Sequence, residues 1–253
     1  MLLSFLEGRE RDEVRRRRLY GRLPTNPRCV LCYAPFDGVG AKLMRMRGRR
    51  PFAKNPRVCD VCFRAMAVGD GCEVNIAVLF VDVRGSMTLA SRLGPSGFAR
   101  LLDRYYRVAS DEMIAHQAFV ELTGDEVYGF YLPGLISDNA VRVAVKTAER
   151  ILRRVTWLEL GSGVHAGIAW VGVVGDAQKI KDFRSVGDTV NLGARLVQRA
   201  GPGECLISEV AYREARLESM NLPECDLTLK GIREPVAARV MSVATGETHV
   251  ATT

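Results

Sequence analysis

The chain has 253 residues, enough to bury a full core and leave room for a small extra module, and its 47% hydrophobic content excludes a disordered or fibrous chain. Its formal charge of +7 is uneven: residues 1–72 hold 16 Lys and Arg against 7 Asp and Glu, and the remainder holds 20 against 22. The basic character therefore belongs to the N-terminal part, which excludes a uniformly basic protein that coats nucleic acid.

Residues 1–24 read as a basic helix or arm, with "RRRR" at 15–18. Such an arm can touch nucleic acid or an acidic membrane surface, and it can equally be a solvated tail. The opening "MLLSFL" is too short for the apolar region of a signal peptide. No stretch approaches the roughly 18–20 apolar residues of a membrane span, so the expectation is a soluble, cytoplasmic protein.

Residues 25–66 carry four of the seven cysteines as two pairs, Cys29/Cys32 and Cys59/Cys62, each preceded by Asn-Pro-Arg and separated by 26 residues. Two C-x2-C knuckles present four thiolates tetrahedrally to one ion, and Zn²⁺ is the usual occupant. The Gly- and Arg-rich segment between them is too poor in apolar residues to fold without such a staple. One structural Zn²⁺ per chain is expected, with an Fe–S cluster or redox thiols as alternatives. Cys72, Cys205 and Cys225 read as ordinary packed or surface thiols.

Residues 73–243 form the main domain, followed by a tail, 244–253. "NIAVLFVDV" (75–83) is a buried strand, and the segment to residue 117 reads as two helices with Leu101, Tyr105, Val108 and Met113 on one stripe. "VELTGDEVYGFYL" is a hairpin, "SDNAVRVAVKTAERILRRV" a capped helix and "GVHAGIAWVGVVG" strand-rich. "DFRSV" is a short strand, "GDTVNLGARLVQRA" a helix, and "ECLIS", "DLTLKGI" and "VAARVMSV" closing strands. The order is that of a split βαβ, ferredoxin-like palm: an α+β antiparallel sheet with helices on one face, plus the small metal-stapled N-terminal module.

Asp82 lies in an apolar strand, where an ionised carboxylate needs compensation. In a split βαβ palm the hairpin turn would bring Asp125 beside it, and adjacent carboxylates must share a proton or a cation. The "RGS" after Asp82 opens a helix, so the backbone of Gly85 and Ser86 suits phosphate oxygens. Carboxylates beside a phosphate cradle point to Mg²⁺ or Mn²⁺ with a nucleoside triphosphate. The alternative for Asp82 is a buried arginine partner. Asn191 and Arg195 share one helix face at i and i+4, fitting a sugar oxygen and a phosphate, or merely an exposed polar face.

"VLFVDVRGS", "RLLDRYYRVASDEMIAHQAFVELTGDEVYGFYLPG", "HAGIAWVGVVG", "VGDTVNLGARL" and "LKGIREPV", in this order across 75–241, resemble the class III adenylyl/guanylyl cyclases. The resemblance implies that Asp82 and Asp125, with Val83 through its backbone, bind two Mg²⁺ or Mn²⁺ ions per active site. It implies that Asn191 and Arg195 stabilise the transition state and that Lys230 meets the outer phosphates. It also implies a homodimer, with metal aspartates from one chain and the Asn/Arg helix from the other. No histidine is required, and His116, His165 and His249 are expected in core or surface roles. The resemblance further implies that Glu121 and Arg184 stand at the base-reading positions. Glu121 accepts hydrogen bonds and suits guanine, while Arg184 can serve guanine O6 or pair with Glu121. GTP is ahead of ATP, with a pyrimidine triphosphate third. Glu126 is expected to point to solvent.

Two rivals remain. "TGDEV" also resembles the hairpin of diguanylate cyclases, although "GDTVNLGAR" fits the class III pattern. A degenerate cyclase-like domain could instead sense nucleotide while the zinc knuckle holds nucleic acid.

Overall fold

Residues 76–81 of "NIAVLFVDV" are buried on both faces in alternation, which is why this run forms the C-terminal part of a strand rather than a helix. The computed structural model describes residues 15, 18–23, 27–136, 138–176 and 180–243. Most of the basic arm, including Arg16 and Arg17, and the C-terminal tail with His249 lie outside the described residues. The chain divides into two compact units, residues 1–74 with 170–186, and residues 75–169 with 187–253.

The first unit holds α1 (Gly38–Met46), β1 (Pro51–Phe52), β2 (Asn55–Cys59) and α2 (Asp60–Ala65). The two cysteine knuckles are joined by backbone: Val30 N donates to Arg57 O at 2.9 Å, and Cys59 N to Cys29 Sγ at 3.3 Å. Cys59 also caps α2, accepting from Cys62 N.

The second unit is built on β3 (Gly71–Val83), α3 (Ser86–Ala115), β4 (Phe119–Thr123), β5 (Glu126–Tyr131), α4 (Ala140–Arg154) and β6 (Leu160–Gly175). The start of β3, the end of β6 and all of β7 (Lys181–Val186) belong to the first unit, and the second continues with α5 (Asp188–Arg199), β8 (Glu204–Ser208), α6 (Glu209–Glu214), β9 (Glu224–Leu227) and β10 (Val236–Ser242). The strand order is β4-β5-β3-β6-β8-β10-β9, with β7 paired to β6. Every described ladder is antiparallel except β6 with β8, so the fold is the expected α+β palm. The two helices expected before the hairpin are present: α3 breaks at Gly94, whose φ of 66° is non-helical, just before Pro95. Asn139 caps α4 by accepting from Arg142 N at 2.9 Å.

One face of the sheet packs on α3, α4 and α6 through Leu79, Val81, Tyr105, Met113, Ile151 and Ile207. The other face carries α5, whose Leu196 and Ala200 meet Leu206, Leu229 and Ala238. Close approach of α5 depends on two glycines. A Cβ at Gly163 would lie 2.6 Å from Val197 N, and one at Gly193 would lie 2.7 Å from Val78 and 2.8 Å from Phe80. Burying these faces supplies most of the stabilisation, at roughly 25 cal/mol per Å² of apolar area.

Candidate active site

Strand β3 delivers Asp82 and the β4–β5 hairpin delivers Asp125. In the β3–β5 ladder Asp82 pairs with Glu126, which puts the turn residue Asp125 at the same end of the sheet. The turn is tight because Gly124 adopts a φ of 63°, a conformation that a side chain would strain. Two tyrosines of α3 brace the pair of segments. Tyr105 donates to Val81 O at 2.8 Å, and Tyr106 donates to Gly124 O.

The electrostatics record how crowded this end is. Burial pushes Asp82 up to about 6, the Arg84 guanidinium opposes that rise, and the Asp125 carboxylate adds to it. Asp82 is paired with Arg84, and Arg84 also donates to Val197 O at 3.2 Å and Ala200 O at 3.3 Å near the end of α5. Asp82 thus has the arginine partner of the alternative reading, and it also has the adjacent carboxylate, Asp125. Three carboxylates against one guanidinium leave a deficit of positive charge that suits divalent cations.

Glu126 differs from expectation. It is half-buried and faces Asp82, because the two-residue turn returns the chain at once into the ladder. Burial, then the charges of Asp82 and Asp125, push it up to about 7 from 4.5. Its folded pKa is above its unfolded value, so its contribution to stability is present below about pH 4.5 and is lost as pH rises through about 7. Glu126→Gln should thus stabilise the metal-free protein at pH 8 by on the order of 1–2 kcal/mol, discounted for the water that reaches the carboxylate, and should change little at pH 4.5. Thermal melts in chelator at the two pH values check this; equal shifts at both would contradict it.

Helix α5 delivers the other group. A cleft of about 630 Å³ is lined by Asp188, Asn191, Leu192, Arg195, Lys230, Gly231, Ile232 and Arg233. The i, i+4 spacing puts Asn191 and Arg195 on one face, and Arg195 is steadied by Gln198 Oε1 at 3.0 Å. Lys230 was expected within a strand. Strand β9 instead stops at Leu227, and Lys230 enters the turn through Gly231, whose φ is 83°. That turn is what brings Lys230 to the cleft.

Gly85 opens α3 at a φ of 65° and Ser86 is its first residue, so the phosphate-cradle pair sits at a helix N-terminus next to Val83. Glu121 lies in β4 opposite Tyr128. Arg184 lies in β7, and its guanidinium is 3.6 Å from Asp182. His116 Nδ1 donates to Glu112 O, one turn back, at 2.8 Å. His165 Nδ1 meets Ser208 Oγ at 2.7 Å, and burial pushes its pKa down to about 4, which leaves a neutral, structural ring. Cys72 and Cys205 are buried and Cys225 is half-buried.

The four knuckle cysteines form the separate metal-capable cluster. Their sulfurs lie within 4.8 Å of one another, and Cys32 Sγ is 3.8 Å from Cys59 Sγ. Four thiolates about 2.3 Å from a tetrahedral ion would have edges of about 3.8 Å, so the set fits. Hydrogen bonds from Cys29 hold Cys32 and Cys59 below the usual thiol range, while burial pushes Cys29 above it and hydrogen bonds from the neighbouring sulfurs, Cys29 first, push Cys62 above it, so without a cation the four sulfurs divide into two thiolates and two thiols. Arg49 Nη1, 3.3 Å from Cys32 and 3.8 Å from Cys59 and Cys62, adds positive charge beside the sulfurs.

Residues 72–238 match the adenylate and guanylate cyclase catalytic domain, and the chain belongs to that family. The uncharacterized protein Rv1320c of Mycobacterium tuberculosis is 31% identical over 176 residues, covering 66% of this chain and 31% of the relative. The chain thus spans under a third of that relative's length. Among solved structures, the adenylyl cyclase CyaB from P. aeruginosa superposes with a TM-score of 0.61 at 23% identity, covering 69% of this chain and 97% of that one. The guanylyl cyclase Cya2 gives 0.62 at 23% identity, covering 71% and 97%. One fold serves both an adenylyl and a guanylyl cyclase, so fold alone does not read the base. Among the described residues no helix is long and apolar enough to cross a membrane.

Proposed function

We propose that the protein is a cytoplasmic nucleotide cyclase that converts a nucleoside triphosphate to its 3′,5′-cyclic nucleotide and pyrophosphate for signalling. The observation that carries this reading is the grouping of Asn191, Arg195 and Lys230 around one cleft, together with a separate, independently crowded Asp82/Asp125 pair. All four metal and transition-state positions are filled, which does not favour a degenerate, sensing-only domain.

Asp82, Asp125 and the Val83 backbone would hold two Mg²⁺ or Mn²⁺ ions, which supply charge to activate the ribose 3′-hydroxyl and to hold pyrophosphate. The bond from the 3′-oxygen to the α-phosphorus forms as the bond to the β-phosphate oxygen breaks, and the hydroxyl proton passes to water. Asn191 orients the ribose, so the attack is in line. Arg195 neutralises charge that develops at the α-phosphoryl oxygens, Lys230 draws the outer phosphates, and Gly85 and Ser86 hold phosphate through backbone N–H groups.

The cleft at Asn191 and Arg195 is lined by neither Asp82 nor Asp125. This supports a homodimer in which each site takes the aspartates from one chain and the α5 residues from its partner. Glu121 and Arg184 are the base readers in this reading, with GTP ahead of ATP and a pyrimidine third. The cysteine cluster takes one structural Zn²⁺, and four reduced thiols suit the cytoplasm.

The test is incubation of purified protein with Mn²⁺ and each of the four ribonucleoside triphosphates, with products identified by mass. A cyclic nucleotide and pyrophosphate are expected; nucleotide that binds but never turns over would contradict the reading. Metal analysis of the same preparation should find about one zinc per chain, and Cys29→Ser should abolish it and unfold residues 25–65. Iron with sulfide, or no metal, would overturn the zinc assignment.

A further inference from the structure

The hairpin formed by the end of β6 and by β7 belongs to the same compact unit as the cysteine module. Both of its strands are tied to that module. On β6, Val173 exchanges backbone hydrogen bonds with the segment leading into β3: Gly69 N donates to Val173 O and Val173 N to Asp70 O, each at 2.8 Å. The approach is close enough that a Cβ on Gly172 would lie 2.3 Å from Asp70 O.

On β7 the tie is a lysine. Lys181 Nζ donates to Arg64 O at 3.1 Å and to Met66 O at 2.7 Å. These carbonyls end α2, the helix that begins at Cys59 and contains Cys62. An ammonium at a helix C-terminus meets unpaired carbonyls and the negative end of the helix dipole. Lys181 also stands 5.2 Å over the ring of Phe63, which stacks on Phe52 at 4.0 Å.

The next residue on β7 makes a second tie. Asp182 Oδ2 accepts from Lys54 of the β1–β2 turn at 3.3 Å, and the same oxygen is 3.6 Å from Arg184. Arg184 therefore shares its carboxylate neighbour with the cysteine module. Strand alternation puts Asp182 and Arg184 on one face and Lys181, Phe183 and Ser185 on the other, so the module grips β7 from both sides of its backbone.

We propose that the cysteine module sets nucleotide selectivity: a metal at Cys29, Cys32, Cys59 and Cys62 fixes α2, and α2 through Lys181, with Lys54 through Asp182, fixes the pose of Arg184. This rests on the reading of Arg184 as a base reader. Lys181 and Asp182 are positioning residues. Loss of the metal frees the start of α2, moves the carbonyls that Lys181 holds, and releases β7 and Arg184 from this pose.

The experiment compares the metal-loaded full chain, the same chain stripped with a zinc chelator, Lys181→Met and Lys181→Arg. Three quantities are measured: metal content, backbone hydrogen exchange of residues 181–186 without nucleotide, and the affinity ratio for unreactive GTP and ATP analogues. Lys181→Met should keep its metal, exchange about tenfold faster over 181–186, and shift the affinity ratio by at least about threefold. Stripped protein should show the same faster exchange and the same shift in affinity ratio, and Lys181→Arg should match the loaded protein. Unchanged exchange in both stripped protein and Lys181→Met would overturn the coupling. Faster exchange with an unchanged affinity ratio would overturn the role in selectivity. Neither readout needs turnover, so an inactive cyclase, or a preparation whose metal is not zinc, registers as a separate failure.

Discussion

Asp125→Asn should lower turnover by at least about 100-fold, and Asp82→Asn should do the same, with each variant still folded. The size follows from the site's charge. The two carboxylates share one end of the sheet, and each variant removes one of the two that would hold divalent ions there. The two variants differ in what they leave behind. Without Asp82, Arg84 loses its carboxylate partner but keeps the Val197 and Ala200 carbonyls, so the link from β3 to α5 survives. Asp125 sits in a turn whose geometry is set by Gly124 and by the Tyr106 hydroxyl, neither of which is touched. Retention of more than about a tenth of the wild-type rate by either folded variant would show that these carboxylates do not hold the catalytic ions.

Much of the palm was legible because its signals are local. The apolar run of β3, the Thr-Gly-Asp-Glu turn, the cap at Asn139 and the i, i+4 pair on α5 all declare themselves within a few residues. The cysteine spacing likewise named its own partners, since metal-ligand geometry leaves few other uses for two such knuckles.

What stayed hidden depends on contacts between distant residues. Glu126 was read as solvent-facing because a turn is normally wet, yet its ladder register places it against Asp82. The position of α5 on the face opposite α3 and α4 turns on the missing side chains of Gly163 and Gly193, and a glycine in a strand or helix gives no hint of what approaches it. The clasp of Lys181 on α2 joins residues more than a hundred positions apart, and a lysine early in a short strand carries no local mark of its partner. Lys230 was placed in a strand by the apolar alternation of "DLTLKGI", but the positive φ of Gly231 turns the chain first.

The claim that one active site is assembled from two chains is tested most directly by mixing two inactive proteins. Asp82→Asn lacks a metal carboxylate but keeps α5 intact; Arg195→Ala keeps the carboxylates but lacks the phosphate-binding guanidinium. In a mixed dimer one site collects both lesions and the other collects neither. Random pairing at equal amounts makes half of the dimers mixed, each with one working site of two, so about a quarter of the wild-type rate should return. The rate of the equimolar mixture is measured after subunit exchange has been verified with differently tagged chains. Recovery near a quarter is the expected result. A mixture as inactive as its two components, with exchange verified, would contradict a shared site and place all the catalytic groups within one chain.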